Sequence, residues 1–174
     1  AASALETSSE TSERAGPPVI IVTGLAHGGT TVTSELIMTA PGLLGPFETG
    51  FLLANRPAAF INTKPFAEWT QGTGAGSLGL AGPHFRELLR QRTHLDMYSY
   101  ALREAPMFVG TNTTRFVDKT PAYWEKLELI LRRAPGVPVV FVYKTRATAH
   151  RSWVQKRHAG EASFRGMWNR FTWQ

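Results

Sequence analysis

Val19-Ile20-Ile21-Val22-Thr23-Gly24-Leu25-Ala26-His27-Gly28-Gly29-Thr30-Thr31 is the stretch that decides the fold of this chain. Its apolar head, Val19 to Val22, reads as a buried strand. Gly24 to Gly29 reads as a glycine-rich turn, and Thr30 or Thr31 as the opening of a helix. Such a turn aims backbone N–H groups and the positive end of a helix dipole at one point, which makes an anion site.

The spacing matches the nucleotide-binding P-loop, G-x-x-x-x-G-K-[ST], at every fixed position but one. Thr30 stands where the loop lysine belongs. An NTPase uses that lysine to neutralise the β- and γ-phosphates, so its replacement argues against ATP or GTP hydrolysis while leaving the phosphate pocket.

A chain of 174 residues suffices for one domain with an apolar core, and 43% hydrophobic with 18% charged residues is an ordinary globular composition. Cysteine is absent, which excludes disulfides, thiolate metal sites and cysteine nucleophiles. No apolar run approaches the ~20 residues that span a membrane. Residues 1–16 are rich in Ala, Ser, Thr and Glu, lack an apolar h-region, and read as a disordered lead-in rather than a signal peptide. Without a targeting signal the expected location is cytoplasmic. The net charge of +6 gathers toward the end of the chain, where Lys144, Arg146, Arg151, Lys156, Arg157, Arg165 and Arg170 face the single acid Glu161. That cluster suits a phosphorylated small molecule, a sulfated or acidic substrate, or nucleic acid, or is a solvated helix face.

Strands alternate with helices along the rest of the chain. A helix is expected over Thr31 to Ala40, with Val32, Leu36 and Ile37 on its apolar side. Residues 72–82 are too glycine-rich for regular structure and read as a mobile loop, a flexible lid. Pro83 opens a helix carried on by Phe85, Leu88, Leu89 and Leu95. Arg115 to Asp118 is a short strand. Thr120 and Pro121 then serve as N-cap and first residue of a helix bearing Tyr123, Leu127, Ile130 and Leu131. Val137 to Tyr143 is the second strongly apolar strand, followed by a helix through Trp153; Phe164, Met167, Trp168 and Phe171 mark a last amphipathic helix. The expected architecture is α/β, a three-layer sandwich around a parallel sheet, with the motif-bearing turns at strand carboxyl ends where such sheets bind ligands.

The second constellation follows that strand. Lys144 at its end and Ser152, a little over two turns into the next helix, can converge on one phosphate. Between the two constellations lies Asp118-Lys119-Thr120-Pro121-Ala122-Tyr123.

With these three motifs in register, the chain resembles the sulfotransferases that use 3′-phosphoadenosine 5′-phosphosulfate (PAPS), particularly bacterial and glycan-type members with a P-loop-like fold. The resemblance covers residues 17–174 and lacks the C-terminal part usual in the family. It implies that Ala26, His27, Gly28, Gly29, Thr30 and Thr31 bind the 5′-phosphosulfate, and that Lys144 and Ser152 bind the 3′-phosphate. It also implies in-line sulfuryl transfer without a metal, Glu48 of Glu48-Thr49-Gly50-Phe51-Leu52 as general base, and Lys119 reaching the transferred group. The implied acceptor is a small molecule, lipid or glycan; no nucleic-acid partner is expected.

The chain departs from the family pattern in telling places. His27 replaces the usual Lys or Arg, so charge at that position depends on imidazole protonation. Gly28 replaces Ser, and Lys144 replaces Arg, exchanging a bidentate fork for a point charge. Two other readings stay open: a P-loop kinase or NTPase-like enzyme with Asp118 as a magnesium-binding strand end, and a non-catalytic remnant that binds 3′-phosphoadenosine 5′-phosphate (PAP) or another phosphate. Outside the resemblance, His84, His94, His150 and His158 fit no ligand spacing, and Trp69, Trp124, Trp153, Trp168 and Trp173 read as core or interface residues.

Overall fold

The computed structural model describes residues 17–155 and 161–172. The lead-in 1–16 lies outside these residues, as do Lys156, Arg157, His158 and Trp173.

Val19–Gly24 forms β1. Its Val19, Ile21 and Val22 are fully buried, the pattern of a strand covered on both faces. On one side β1 runs parallel to β3, Arg115–Lys119, with Val19 opposite Phe116 and Val22 opposite Lys119. On the other it runs parallel to β4, Val139–Val142, with Ile21 opposite Val139 and Gly24 opposite Val142. The short β2, Leu43–Leu44, joins β3, giving the order β2-β3-β1-β4. Helices flank this parallel sheet, so the expected α/β architecture is the one observed. Since all four strands point the same way, the segments following β1, β3 and β4 leave from one edge, and the site gathers there.

The helices are α1 (Thr30–Ile37), α2 (Phe66–Gln71), α3 (Gly82–Leu89), α4 (His94–Glu104), α5 (Leu127–Arg133), α6 (Arg146–Gln155) and α7 (Glu161–Thr172). The main core joins Ile21, Phe51, Phe60, Leu88, Tyr98 and Phe116. A smaller cluster of Leu25, Trp124, Ala149, Phe164, Met167 and Trp168 ties the glycine-rich loop to α6 and α7. Burying side chains of this size stabilises by roughly 1.5–3 kcal/mol each, so the loop rests on a packed base.

Four local expectations are corrected. The helix expected over Thr31 to Ala40 ends at Ile37, and its inward face is polar: Thr30 and Ser34 are buried whereas Val32 and Leu36 are 70% and 69% exposed. Ser34 tolerates burial because its hydroxyl donates to the Thr31 carbonyl at 2.8 Å. The helix expected from Pro83 through Leu95 is two helices, because Thr93 starts a new one. Its hydroxyl accepts from the Asp96 amide at 3.1 Å and its amide donates to the Asp96 carboxylate at 3.0 Å, a complete capping box.

Thr120 and Pro121 do take the N-cap and first positions, but of a 3-10 turn over Pro121–Lys126, and the Thr120 hydroxyl makes no capping bond because it is committed elsewhere. Lastly, residues 72–81 lack regular structure but are no free lid. Leu78 and Leu80 are buried in the core, and the Phe47 and Leu80 amides donate to the Gly76 and Thr70 carbonyls at 2.8 and 3.0 Å. Among the described residues, no helix is long and apolar enough to cross a membrane.

Candidate functional site

A cleft of about 660 Å³ opens at the carboxyl edge of the sheet, lined by Ala26, His27, Gly29, Thr30 and Thr31 on one side and Glu48 and Lys119 on another. Lys144 and Ser152 complete it. Volumes of this order accommodate substrate-sized molecules.

The loop wall is shaped by backbone geometry. Gly24 (φ 145°) and Gly29 (φ 103°) take left-handed or mirror-extended conformations that glycine tolerates, and His27 takes φ 60° despite its side chain. The Thr33 amide donates to the Gly29 carbonyl at 3.0 Å, closing the first turn of α1. The amides that precede it in the helix have no intrahelical acceptor, and no side chain caps them. Free donors at a helix start are of the kind that suits an anion.

Gly28 departs from expectation. It is buried, its amide donates to the Leu25 carbonyl at 2.7 Å, and it does not line the cleft. A Cβ there would lie 2.5 Å from the Leu25 oxygen, so this loop conformation requires glycine where the family pattern has serine. Gly28 shapes the loop.

The opposite wall joins β4 to α6. The Lys144 ammonium donates to the Ser152 hydroxyl at 3.1 Å and to the His27 carbonyl at 3.3 Å. One side chain thus links the two motifs and brings Lys144 and Ser152 together. The His27 ring meets Trp153 edge-on, with centroids 5.6 Å apart, placing the imidazole beside α6.

Glu48 and Lys119 occupy the third wall. The Lys119 ammonium donates to a Glu48 oxygen at 2.9 Å; their side chains are 4% and 16% exposed. Phe47 covers the ammonium, its ring centre 3.9 Å from the nitrogen, a cation–π contact. Burial raises the Glu48 pKa above the usual carboxylate value, with the charge of Asp118 adding to the rise and Lys119 opposing it. Desolvation largely offsets the attraction in so enclosed an ion pair, so its net stabilisation is small.

Behind this wall lies a feature the sequence reading missed. Asp118 is fully buried, and both carboxylate oxygens accept hydroxyl hydrogen bonds. Thr120 donates to one oxygen at 2.7 Å. Thr49 and Tyr123 donate to the other at 2.5 and 2.6 Å, joined there by Tyr98. Burial, then the neighbouring Asp118 charge, raises both phenol pKa values well above their usual range, keeping them protonated as donors. The amides of Thr49 and Gly50 donate to the Thr120 hydroxyl at 3.3 and 3.2 Å, and that of Leu52 to the Tyr123 hydroxyl at 3.3 Å. Asp118 therefore holds the segment that carries Glu48. It does not line the cleft, and its position gives no support to a metal-binding strand end. The available signal was a carboxylate within the otherwise apolar centre of β3.

The remaining candidates settle into structural roles. His94 is buried with its Nε2 donating to the Ala54 carbonyl at 2.9 Å, and the His84 Nδ1 lies 3.3 Å from the Tyr100 hydroxyl. Trp124 and Trp168 are core residues, and Trp69 packs edge-on against Phe47. Among the described residues, no group of three or more His, Asp or Glu side chains could hold a metal ion.

Comparison with solved structures adds an independent observation. The chain is similar to the sulfotransferase domain of the Synechococcus PCC 7002 olefin synthase, with TM-score 0.58 and 15% identity over 91% of this chain. The two share a fold. A sulfotransferase from Mycobacterium tuberculosis, STF1, is also similar, with TM-score 0.43 and 19% identity over 84% of this chain. The chain spans 59% and 50% of these two structures. No protein-family model matches it, and no curated protein matches it in sequence. In this fold, the cleft lies between the segments that follow β1, β3 and β4.

Proposed function

We propose that this chain transfers a sulfuryl group from PAPS to a hydroxyl or amine of a small-molecule, lipid or glycan acceptor. One observation carries the proposal: the Glu48–Lys119 pair shares a cleft with the loop of β1 and with Lys144 and Ser152. The residues suit the nucleotide chemically. Uncapped helix amides and two lysines offer donors to phosphate and sulfate oxygens.

PAPS supplies an activated sulfuryl group whose bond to the 5′-phosphate oxygen breaks as a new bond to the acceptor oxygen or nitrogen forms. In the proposed reaction Glu48 takes the acceptor's proton. Its raised pKa supports that role, since a base titrating nearer the working pH has more driving force to accept a proton. Lys119 balances charge on the sulfuryl oxygens and holds Glu48 in place. The loop amides and a His27 N–H stabilise charge gathering on the departing phosphate, as an oxyanion hole does. Lys144 and Ser152 hold the 3′-phosphate.

Calorimetric titration with PAP beside ATP-Mg, followed by labelled sulfuryl transfer to an acceptor panel, tests the proposal. Micromolar PAP binding with much weaker ATP-Mg binding, and label transferred from PAPS, is the expected result. Preferential ATP-Mg binding would favour phosphoryl transfer instead, and PAP binding without any transfer would favour a binding module.

A further inference from the structure

We propose that Thr49 is a positioning residue, whose hydroxyl, anchored on the buried Asp118 carboxylate, sets the Glu48 carboxyl against Lys119. The inference rests on the reading of Glu48 as general base and adds how that base is held.

Thr49 is 1% exposed, and its hydroxyl donates to Asp118 at 2.5 Å while its amide donates to Thr120 at 3.3 Å. Side chain and backbone of one residue are therefore fixed to neighbouring positions, Asp118 at the end of β3 and Thr120 just beyond it. Glu48 directly precedes Thr49, and Lys119 stands between Asp118 and Thr120. The two members of the cleft pair are thus carried on segments tied together on both sides of Lys119. Gly50 makes room for this crossing: its φ is 63°, and a Cβ there would lie 2.3 Å from the Phe66 ring. A chain held only by packing would let the Glu48 backbone slide; hydrogen bonds to a fixed carboxylate set its distance and direction.

Asp118 suits this role because, among the described residues, its hydrogen bonds come from hydroxyls alone. Within a fully buried setting its oxygens depend on four hydroxyls, those of Thr49, Tyr98, Thr120 and Tyr123, so releasing one leaves a carboxylate short of donors. The arrangement favours one seating of residues 48–52 over alternatives. The charged groups that face Glu48 are Lys119 and Asp118 from β3, with His27 from the loop after β1 and Lys144 after β4 sharing the cleft.

The test compares Thr49→Val, which keeps shape and removes the hydroxyl, with Thr49→Ser, which restores it. The first readout is the titration midpoint of the Glu48 side-chain carboxyl, followed by carbon-13 NMR in the unliganded full chain. It needs no turnover. The wild type and Thr49→Ser should share a midpoint above the ordinary glutamate value. In Thr49→Val it should fall toward that value by about half a unit or more as the carboxyl swings into water. A cooperatively folded Thr49→Val with an unchanged midpoint overturns the proposal.

The second readout is sulfuryl transfer. Thr49→Val should lower kcat about tenfold or more while PAP affinity stays within about twofold, and Thr49→Ser should recover the rate. Where Glu48→Gln is slow, a Thr49→Val enzyme with wild-type kcat also overturns the proposal. If Glu48→Gln transfers sulfuryl at the wild-type rate while Thr49→Val still shifts the midpoint, the base assignment fails and the positioning role stands.

Discussion

Lys119 and Glu48 lie 71 residues apart in sequence and 2.9 Å apart in space, in a pair almost closed to solvent. The carboxylate is pushed above its usual pKa chiefly by burial, although the lysine pulls the other way. A base must be ionised to accept a proton, so the rate of sulfuryl transfer should fall as pH drops through this raised pKa. The acid limb of the kcat profile should accordingly lie above the ordinary glutamate range. Glu48→Gln should lower kcat by about 100-fold or more while PAP binding is retained. A profile flat down to pH 4, or an active Glu48→Gln, would remove Glu48 from the mechanism.

Lys144 bridges the Ser152 hydroxyl and the His27 carbonyl. In its proposed role Lys144 makes a charge-assisted contact to the 3′-phosphate, so Lys144→Ala is expected to weaken PAP binding by about 1.5–3 kcal/mol, or roughly tenfold to a hundredfold. Ser152→Ala should cost less, and the double variant less than the sum, because the two groups share one contact. Calorimetry with PAP reads all three; a Lys144→Ala chain that binds PAP normally would contradict the 3′-phosphate assignment.

Gly28 and Gly24 are required by space. Gly28→Ser would return the hydroxyl common in the family pattern, but its Cβ meets the Leu25 carbonyl at 2.5 Å. Gly24→Ala places a Cβ 2.2 Å from the Val142 carbonyl at a φ of 145°. Each should destabilise the fold by about 1–3 kcal/mol, seen as a lower denaturant midpoint at constant m-value, and neither should improve PAP affinity. A Gly28→Ser variant as stable as wild type would mean that the loop readily adopts another conformation.

His94 makes stability depend on pH. Burial lowers its pKa below the ordinary histidine value, reinforced by Arg133 and opposed by the Ala54 hydrogen bond. The neutral ring is thus favoured in the folded state. Its contribution is fully present above the unfolded histidine pKa of about 6.5 and is lost as pH falls through the lower folded value. His94→Gln, which can keep a donor toward Ala54, should flatten the fall of Tm between about pH 7 and 5. An equally steep fall in the variant would place the sensitivity elsewhere.

Metal should not be needed for the proposed transfer. Added chelator is expected to leave the rate from PAPS unchanged, whereas a phosphoryl-transfer reading requires magnesium. Loss of activity on chelation, restored by magnesium, would count against sulfuryl transfer.

The fold and much of the cleft were legible for a local reason. β1, its glycine turn and α1 form one continuous signal, and the Lys144–Ser152 spacing survives because strand end and helix follow each other directly. What escaped depends on distant pairing. Asp118 shows its role only once Tyr98 and Thr49 arrive beside it from other elements. The glycine-rich segment 72–82 looked free because composition conceals that Leu78 and Leu80 are anchored in the core. Val32 and Leu36 misled in the opposite sense: helical periodicity was read as a buried face, yet α1 turns Thr30 and Ser34 inward.

The apposition of Gly24 and Val142 has a wider consequence. These two residues pair directly, at the ends of β1 and β4, with no room between them for even a methyl group. The gap between the glycine-rich loop and the lysine-bearing segment is therefore a ruler fixed by the sheet's own strand separation, about 4.8 Å, rather than by the side chains that line it. Side chains at either end can be exchanged, as His27 and Lys144 depart from the family pattern, without resetting the span a ligand must bridge.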